Sequence, residues 1–275
     1  MSVPETFPQQ PAARGQGGAM LEVRDLGIRF GGLQALGGVN VDVNEWEIVG
    51  LIGPNGAGKT TFFNCVMGVY APTTGSVRYR DKEITTLPTH RRTTLGLGRT
   101  FQNVGLAKRL TVMENMLIAQ HTKAAYGVVP AVFGTPAVLA EEKLLRRNAF
   151  EILDFMGLAD HHGEIVSSLP YGLQKLSEIA AVLAGDPEFL LLDEPTSGMS
   201  PEEAHVFGDL LLRLRTDLNL TVLMIEHHVP LVVRVCDYVY VLNFGQLLAE
   251  GLPQQIQRHP EVVAAYLGED ADAAS

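Results

Sequence analysis

The chain has 275 residues, 46% of them hydrophobic and 19% charged, with a formal net charge of -10 at pH 7. That length supplies one large domain with a sizeable core, and the acidic balance excludes general binding to a nucleic-acid backbone, so no nucleic-acid partner is expected. The two cysteines, Cys65 and Cys236, lack C-x-x-C pairing or metal spacing, which excludes a disulfide framework and points to core positions in a reducing compartment.

The start, MSVPETFPQQPAARGQGGAM, is rich in Pro, Gly and Gln and lacks the basic-then-apolar layout of a signal peptide. Residues 1–19 read as a disordered tail. Next, LEVRDLGIRF alternates like a half-buried strand, and VNVDVNEWEIVGLIG continues as two strand-like runs, the second more uniformly apolar. GPNGAGKTTFFNCVMGVY is a glycine loop running into an apolar-faced helix, and GSVRYRDKEI alternates again as exposed β structure. From about His90 to Leu183 the periodicity turns helical, as in LTVMENMLIAQH and EEKLLRRNAFEILDFMGL, with AAYGVVPAVFGTPA between them as a loop or short helices. A helical subdomain is expected over about 103–183. EFLLLDEP then reads as a buried strand, Glu202 to Asp217 as a helix, LTVLMIEHH as another buried strand, and a helix starts near Pro230. DYVYVLNFGQLLAEG reads as a hairpin turning at Asn243 to Gly245, and 269–275 as a frayed tail. Alternating buried strands and helices predict an α/β fold with a mostly parallel sheet covered on both faces. No run of about 18 apolar residues occurs, so no membrane span is predicted and a soluble, intracellular protein is expected.

Two motifs carry chemistry. GPNGAGKT fits G-x-x-x-x-G-K-[ST] at every fixed position, between a predicted buried strand and a predicted helix. Its glycines let backbone N–H groups curl around phosphate oxygens, and the helix adds the positive end of its dipole. The phosphate-binding residues are therefore Gly53, Pro54, Asn55, Gly56, Ala57, Gly58, Lys59, Thr60 and the adjoining Thr61. Lys59 would reach the β- and γ-phosphates of ATP, and Thr60 would ligate Mg²⁺. The second motif, FLLLDEP, ends an apolar strand in two carboxylates, which is costly unless they face a cation or water. Asp193 would hold Mg²⁺ directly or through water, and Glu194 would act as general base on the attacking water.

Together with GRTFQN and IEHH in the same order, these residues resemble the ATP-binding subunit of an ABC transporter. The resemblance covers about Leu21 to Gly268. It implies a P-loop NTPase (RecA-like) core with an N-terminal antiparallel β part and a helical subdomain, in a cassette spanning 20–268. It also implies that Gln102 senses Mg²⁺ and the attacking water, that His227 contacts the γ-phosphate, and that Phe30 stacks on adenine. SSLPYGLQKL aligns with the family signature Leu-Ser-Gly-Gly-Gln. Leu169 and Gly172 match, while Pro170, Tyr171 and Leu173 replace the serine, the first glycine and the glutamine. Pro170 has neither the serine's hydroxyl nor a backbone N–H. Tyr171 and Gly172 then remain to meet nucleotide at the start of a helix, whose Leu173, Leu176, Ala180 and Leu183 share one face. In SGMSP, Ser200 stands where Asp is common, and with Pro201 it makes a good helix cap. His228 stands where an acidic residue is usual.

RFGGLQAL, the Tyr-Gly signature, DEPTSGMSP, IEHHV and the segment LLAEGLPQQIQRHPEVVAAYLGE are similar to the branched-chain amino acid importer type. That resemblance implies a sandwich dimer, with an identical or sibling ATPase subunit, closing on ATP and reopening on hydrolysis. Two transmembrane permease subunits would follow this motion, and an extracytoplasmic solute-binding protein would deliver the solute. The chain would lie peripherally on the cytoplasmic face of the inner or plasma membrane. Branched-chain amino acids, amides or urea all remain open as solutes. The alternatives are a regulatory nucleotide-binding module with weak hydrolysis and the ATPase of a lipid-export system.

Overall fold

The structure is a computed structural model and describes residues 19–100, 105–120 and 136–272. Its strands and helices, in chain order, are β1 (Leu21–Phe30), β2 (Leu33–Val43), β3 (Ile48–Ile52), α1 (Lys59–Val66), β4 (Thr74–Tyr79), β5 (Lys82–Glu83), α2 (Thr89–Thr93), β6 (Leu97–Arg99) and α3 (Val112–Gln120). They continue with α4 (Pro136–Phe155), α5 (Tyr171–Ala184), β7 (Phe189–Asp193), α6 (Pro201–Leu218), β8 (Thr221–Ile225), α7 (Val229–Val235), β9 (Tyr238–Asn243), β10 (Gln246–Gly251), α8 (Pro253–Ile256) and α9 (Pro260–Asp272).

Strands β3, β7 and β8 are buried at all five of their positions, as uniformly apolar runs must be when both sheet faces are covered. They form the centre of a six-stranded sheet ordered β10-β9-β3-β8-β7-β6, parallel at every pair except the β9–β10 hairpin. Alternation sorts their side chains between two cores. Val49, Leu51, Leu191, Leu223 and Ile225 meet Phe62 and Phe63 of α1 and the inner face of a second, antiparallel sheet, β2-β1-β4-β5. Ile48, Leu190, Leu192, Val222 and Met224 face the other way, onto Ile179 and Leu183 of α5, Leu211 of α6 and Val232 of α7.

Helix α1 is anchored at its far end by Arg92. This side chain is fully buried and donates to the carbonyls of Cys65 at 2.9 Å, Val66 at 2.5 Å, Thr85 at 2.8 Å and Leu87 at 2.8 Å. Burial lowers the guanidinium pKa to about 10, so it remains charged at neutral pH.

The middle of the chain carries α3, α4 and α5, as the helical periodicity predicts, but it is not free of strands. β6 pairs in parallel with β7 at the edge of the main sheet. Three residues interrupted by a glycine carry no alternation to read. Helix α9 runs to Asp272, four residues into the stretch expected to fray. The predicted tail 1–19, except Ala19, and most of the predicted 124–137 loop lie outside the described residues.

Candidate functional site

Parallel strands put their C-terminal ends on one edge of the sheet, where α/β folds build their sites. β3 delivers Gly53 to Lys59 there, β7 delivers Asp193 and Glu194, and β8, lying between them, delivers Glu226 and His227.

The glycine loop is locked to the sheet. Gly53 has φ 146°, and a Cβ there would lie 2.0 Å from the Leu242 carbonyl oxygen. Gly58, at φ 100°, is the N-cap of α1, and its Cβ would lie 2.9 Å from the Ala35 carbonyl oxygen. Gly245, at the hairpin turn, donates to the Ala57 carbonyl at 2.9 Å. Pro54, Ala57 and Lys59 are buried, while Asn55, Gly56 and Thr60 are exposed and Thr61 is half-buried. The Lys59 ammonium donates to the carbonyls of Gly53 at 2.6 Å and Pro54 at 2.7 Å. No side chain caps α1, so its N–H groups and dipole face the loop's concave side.

Asp193 is 1% exposed and one oxygen, Oδ2, accepts from Arg99 Nη2 at 3.0 Å. Arg99 also donates to Asn64 Oδ1 on α1 at 2.6 Å. The other oxygen, Oδ1, is buried without a hydrogen-bond partner, as a carboxylate waiting on a cation or its water would be. Glu194 follows at φ 47°, a strained conformation for a side chain of its size, and its N–H donates to the Ile225 carbonyl at 3.0 Å. That bond sets Glu194 beside the strand end that leads into His227, whose side chain is exposed. His228 is the N-cap of α7 and makes no side-chain cap there.

Between Ile225 and His227 lies Glu226, which sequence reading passed over. It is fully buried and accepts from the backbone N–H groups of Thr196, His227 and His228 at 3.0, 3.0 and 3.2 Å, and from the Thr196 hydroxyl. Arg99 and Glu226 share one readable signal, a charge set within an otherwise apolar run.

Helix α5 starts with Pro170 as its N-cap and no side-chain cap. Gln174, one position past the signature glutamine, donates from its side chain to the Leu169 carbonyl at 2.8 Å and so braces the turn. Tyr171 is half exposed, with its ring against Gly198. A Cβ on Gly198 would come within 3.1 Å of two ring carbons. Gly172 faces Glu203, whose Oε1 would lie 3.3 Å from a Cβ at that position. Glu203 completes a capping box with Ser200 at the start of α6, with Pro201 in the first turn, as predicted. The apolar face predicted for α5 packs as read, with Ala180 and Leu183 buried in the core and Leu173 and Leu176 against it, and Lys175 and Glu178 are also buried and pair at 3.4 Å. Glu178 further accepts from the Gly105 N–H at 3.1 Å. Gln102 lies outside the described residues; its flanks are tied down at Thr100, which donates from its N–H to the Leu191 carbonyl at 3.0 Å, and at Gly105. Phe30 ends β1, 45% exposed, and meets Tyr70 edge to face at 5.2 Å.

The ABC transporter family matches residues 36–197, and the description "Branched-chain amino acid ATP-binding cassette transporter" matches residues 246–272. The high-affinity branched-chain amino acid transport ATP-binding protein BraF of Pseudomonas aeruginosa is 44% identical over 250 residues, which cover 91% of this chain and 98% of BraF. A crystal structure of the ADP conformation of an ATP-binding cassette of an ABC transporter superposes with TM-score 0.80 at 31% identity, covering 91% of this chain and 99% of that one. A dimeric bacterial ABC transporter cassette superposes with TM-score 0.73 at 25% identity, over 85% of this chain and 99% of that one. With its glycine loop, paired strand-end carboxylates and helical insertion in this arrangement, the chain belongs to the ABC transporter family, as an ATP-binding cassette.

Proposed function

We propose that this chain is the ATP-binding and ATP-hydrolysing subunit of an importer for branched-chain amino acids or a related small polar solute. Cassettes of its family hydrolyse ATP to power transport. The observation that carries the reading is the convergence of Lys59, Asp193, Glu194 and His227 on one sheet edge, in a chain 44% identical to BraF over nearly all its length.

In this reading the loop Gly53 to Thr61 wraps the phosphates, and Lys59 exchanges its two carbonyl partners for phosphate oxygens. Thr60 and Asp193 would hold Mg²⁺, with Gln102 beside them, and the unpartnered Asp193 Oδ1 suits that use. When bound, the ion would neutralise charge on the phosphate oxygens. Glu194 takes a proton from the attacking water, and His227 donates to the γ-phosphate. Phe30 offers a ring face to adenine. Tyr171 and Gly172 meet the nucleotide of the neighbouring protomer, identical or sibling, across a dimer of the kind seen for the related cassette. Two permease subunits in the membrane, and a solute-binding protein beyond it, complete the importer. None of the described helices is long and apolar enough to cross a membrane, which fits a subunit held peripherally, on the cytoplasmic face.

The test is MgATP turnover by the assembled complex. Glu194→Gln is expected to lower kcat by about 100-fold or more while ATP binding stays within about threefold. Equal turnover in that variant would remove Glu194 as the base. A regulatory module would show ATP-driven dimerisation with little turnover in the parent chain as well.

A further inference from the structure

Glu194 and His227 stand on loops that leave two neighbouring strands, β7 and β8. Beyond the strand ends, the described contacts that join these loops side chain to backbone centre on Glu226. Its two oxygens divide the work. Oε1 accepts from the N–H and the hydroxyl of Thr196, two residues past Glu194, while Oε2 accepts from the N–H groups of His227 and His228.

A buried carboxylate costs several kcal/mol unless it is paired or well hydrogen-bonded. Among the described residues Glu226 has no ion pair, and four donors converge on it instead. Bonds to an ionised acceptor are roughly twice as strong as neutral ones. A carboxylate is the one side chain here that can offer two pure acceptor oxygens to two donor pairs at once. Glutamine has the same shape but one acceptor oxygen, and its NH₂ would have to face a set of N–H donors. One of the two loops would lose its hold.

We propose that Glu226 is a positioning residue for hydrolysis: it clamps the loop following the general base to the loop of the γ-phosphate histidine, so that Glu194 and His227 keep one geometry. This inference rests on the ATPase reading above. The clamp acts on the chemical step, because the phosphate-binding loop, which grips ATP, hangs from β3, whereas the four donors to Glu226 come from Thr196, His227 and His228. Misplacing a catalytic group by about 1 Å can cost about 100-fold in rate.

The experiment uses the full chain in its complex, with kcat and KM for MgATP measured on the parent, Glu226→Gln, Thr196→Val and the double variant, beside thermal melts. Glu226→Gln is expected to lower kcat by about tenfold or more and leave KM within about threefold. Thr196→Val removes only the hydroxyl donor and is expected to lower kcat about threefold in the parent. In the Glu226→Gln background it should cost less than about twofold, because a unit already broken cannot be broken again. A merely stabilising carboxylate would lower the melting temperature and the active fraction without this non-additivity. Parent-like kcat in Glu226→Gln, or losses that multiply in the double variant, overturns the clamp. If Glu226→Gln does not melt cooperatively, Thr196→Val decides alone: a kcat loss at constant KM supports the clamp, and parent-like kcat overturns it. A parent complex without MgATP turnover sinks the ATPase reading and the clamp with it, whereas an active parent with an indifferent Glu226→Gln sinks the clamp only.

Discussion

The two surfaces that would enclose a nucleotide are built in different ways. The glycine loop is rich in its own chemistry: a lysine, two threonines and a helix start, pressed against the backbones of Leu242 and Ala35 by glycines that admit no Cβ. The start of α5 is poor in chemistry, since Pro170 removes a hydroxyl and an N–H together. It is instead backed by its neighbours, the Tyr171 ring lying against Gly198 and Glu203 lying beside Gly172. One surface works through what it carries and the other through where it is fixed. Of the second surface's two backing residues, Gly198 lies on the loop that leaves Glu194 and Glu203 lies in the first turn of α6.

Substitutions can break this contrast or sharpen it. The largest effect is expected from Gly53→Ala, whose Cβ would sit 2.0 Å from a backbone oxygen at a φ of 146°. It should destabilise the fold by about 3 kcal/mol or more in denaturant titration, so the loop fails by unfolding. Next, Gly172→Asp should remove turnover by about 100-fold or more while the melting temperature moves little. A carboxylate there meets Glu203 on one side and phosphate on the other. Full activity in that variant would return the start of α5 to a plain helix turn. Tyr171→Ala should cost turnover about three- to tenfold with ATP affinity unchanged in the isolated chain, because it loosens the backing of Gly198 and removes a contact to the neighbouring protomer's nucleotide. Smallest of all, Pro170→Ser should leave turnover within about threefold. A large gain there would mean that the hydroxyl was the missing part and that position is not enough.

The central sheet was legible because β3, β7 and β8 are continuous apolar runs, and the glycine loop because its spacing is specific. The signature helix was located by Gly172 and its neighbours and its apolar face packs as read, but its buried charges were not foreseen. Lys175 and Glu178 look like a solvated pair by residue type, yet they are buried against each other and against the Gly105 N–H. The same blindness hid Arg99 and Glu226. A charge within an apolar run can be read as a strand end, and only the fold shows which carboxylate or amide meets it. Strand β6 escaped for a different reason. Its three residues are ordered by pairing with β7, a partner about 90 residues away in sequence, and by no local pattern. Tyr70 is likewise defined by its contact with Phe30, which no spacing announces.

Arg92 has a consequence for the conditions under which the loop can hold its shape. Its four acceptors are carbonyls from the end of α1 and from the segment after β5, none of them an acid; the bonds to Cys65 and Val66 are buried and those to Thr85 and Leu87 partly so. Dissolved ions weaken attraction between exposed charges, but they have no access to a guanidinium enclosed by peptide dipoles. The helix that presents Thr60 and Thr61 is thus moored at its back by a cation that ionic strength does not reach. A change of salt concentration would then be felt at the exposed loop and not at the mooring.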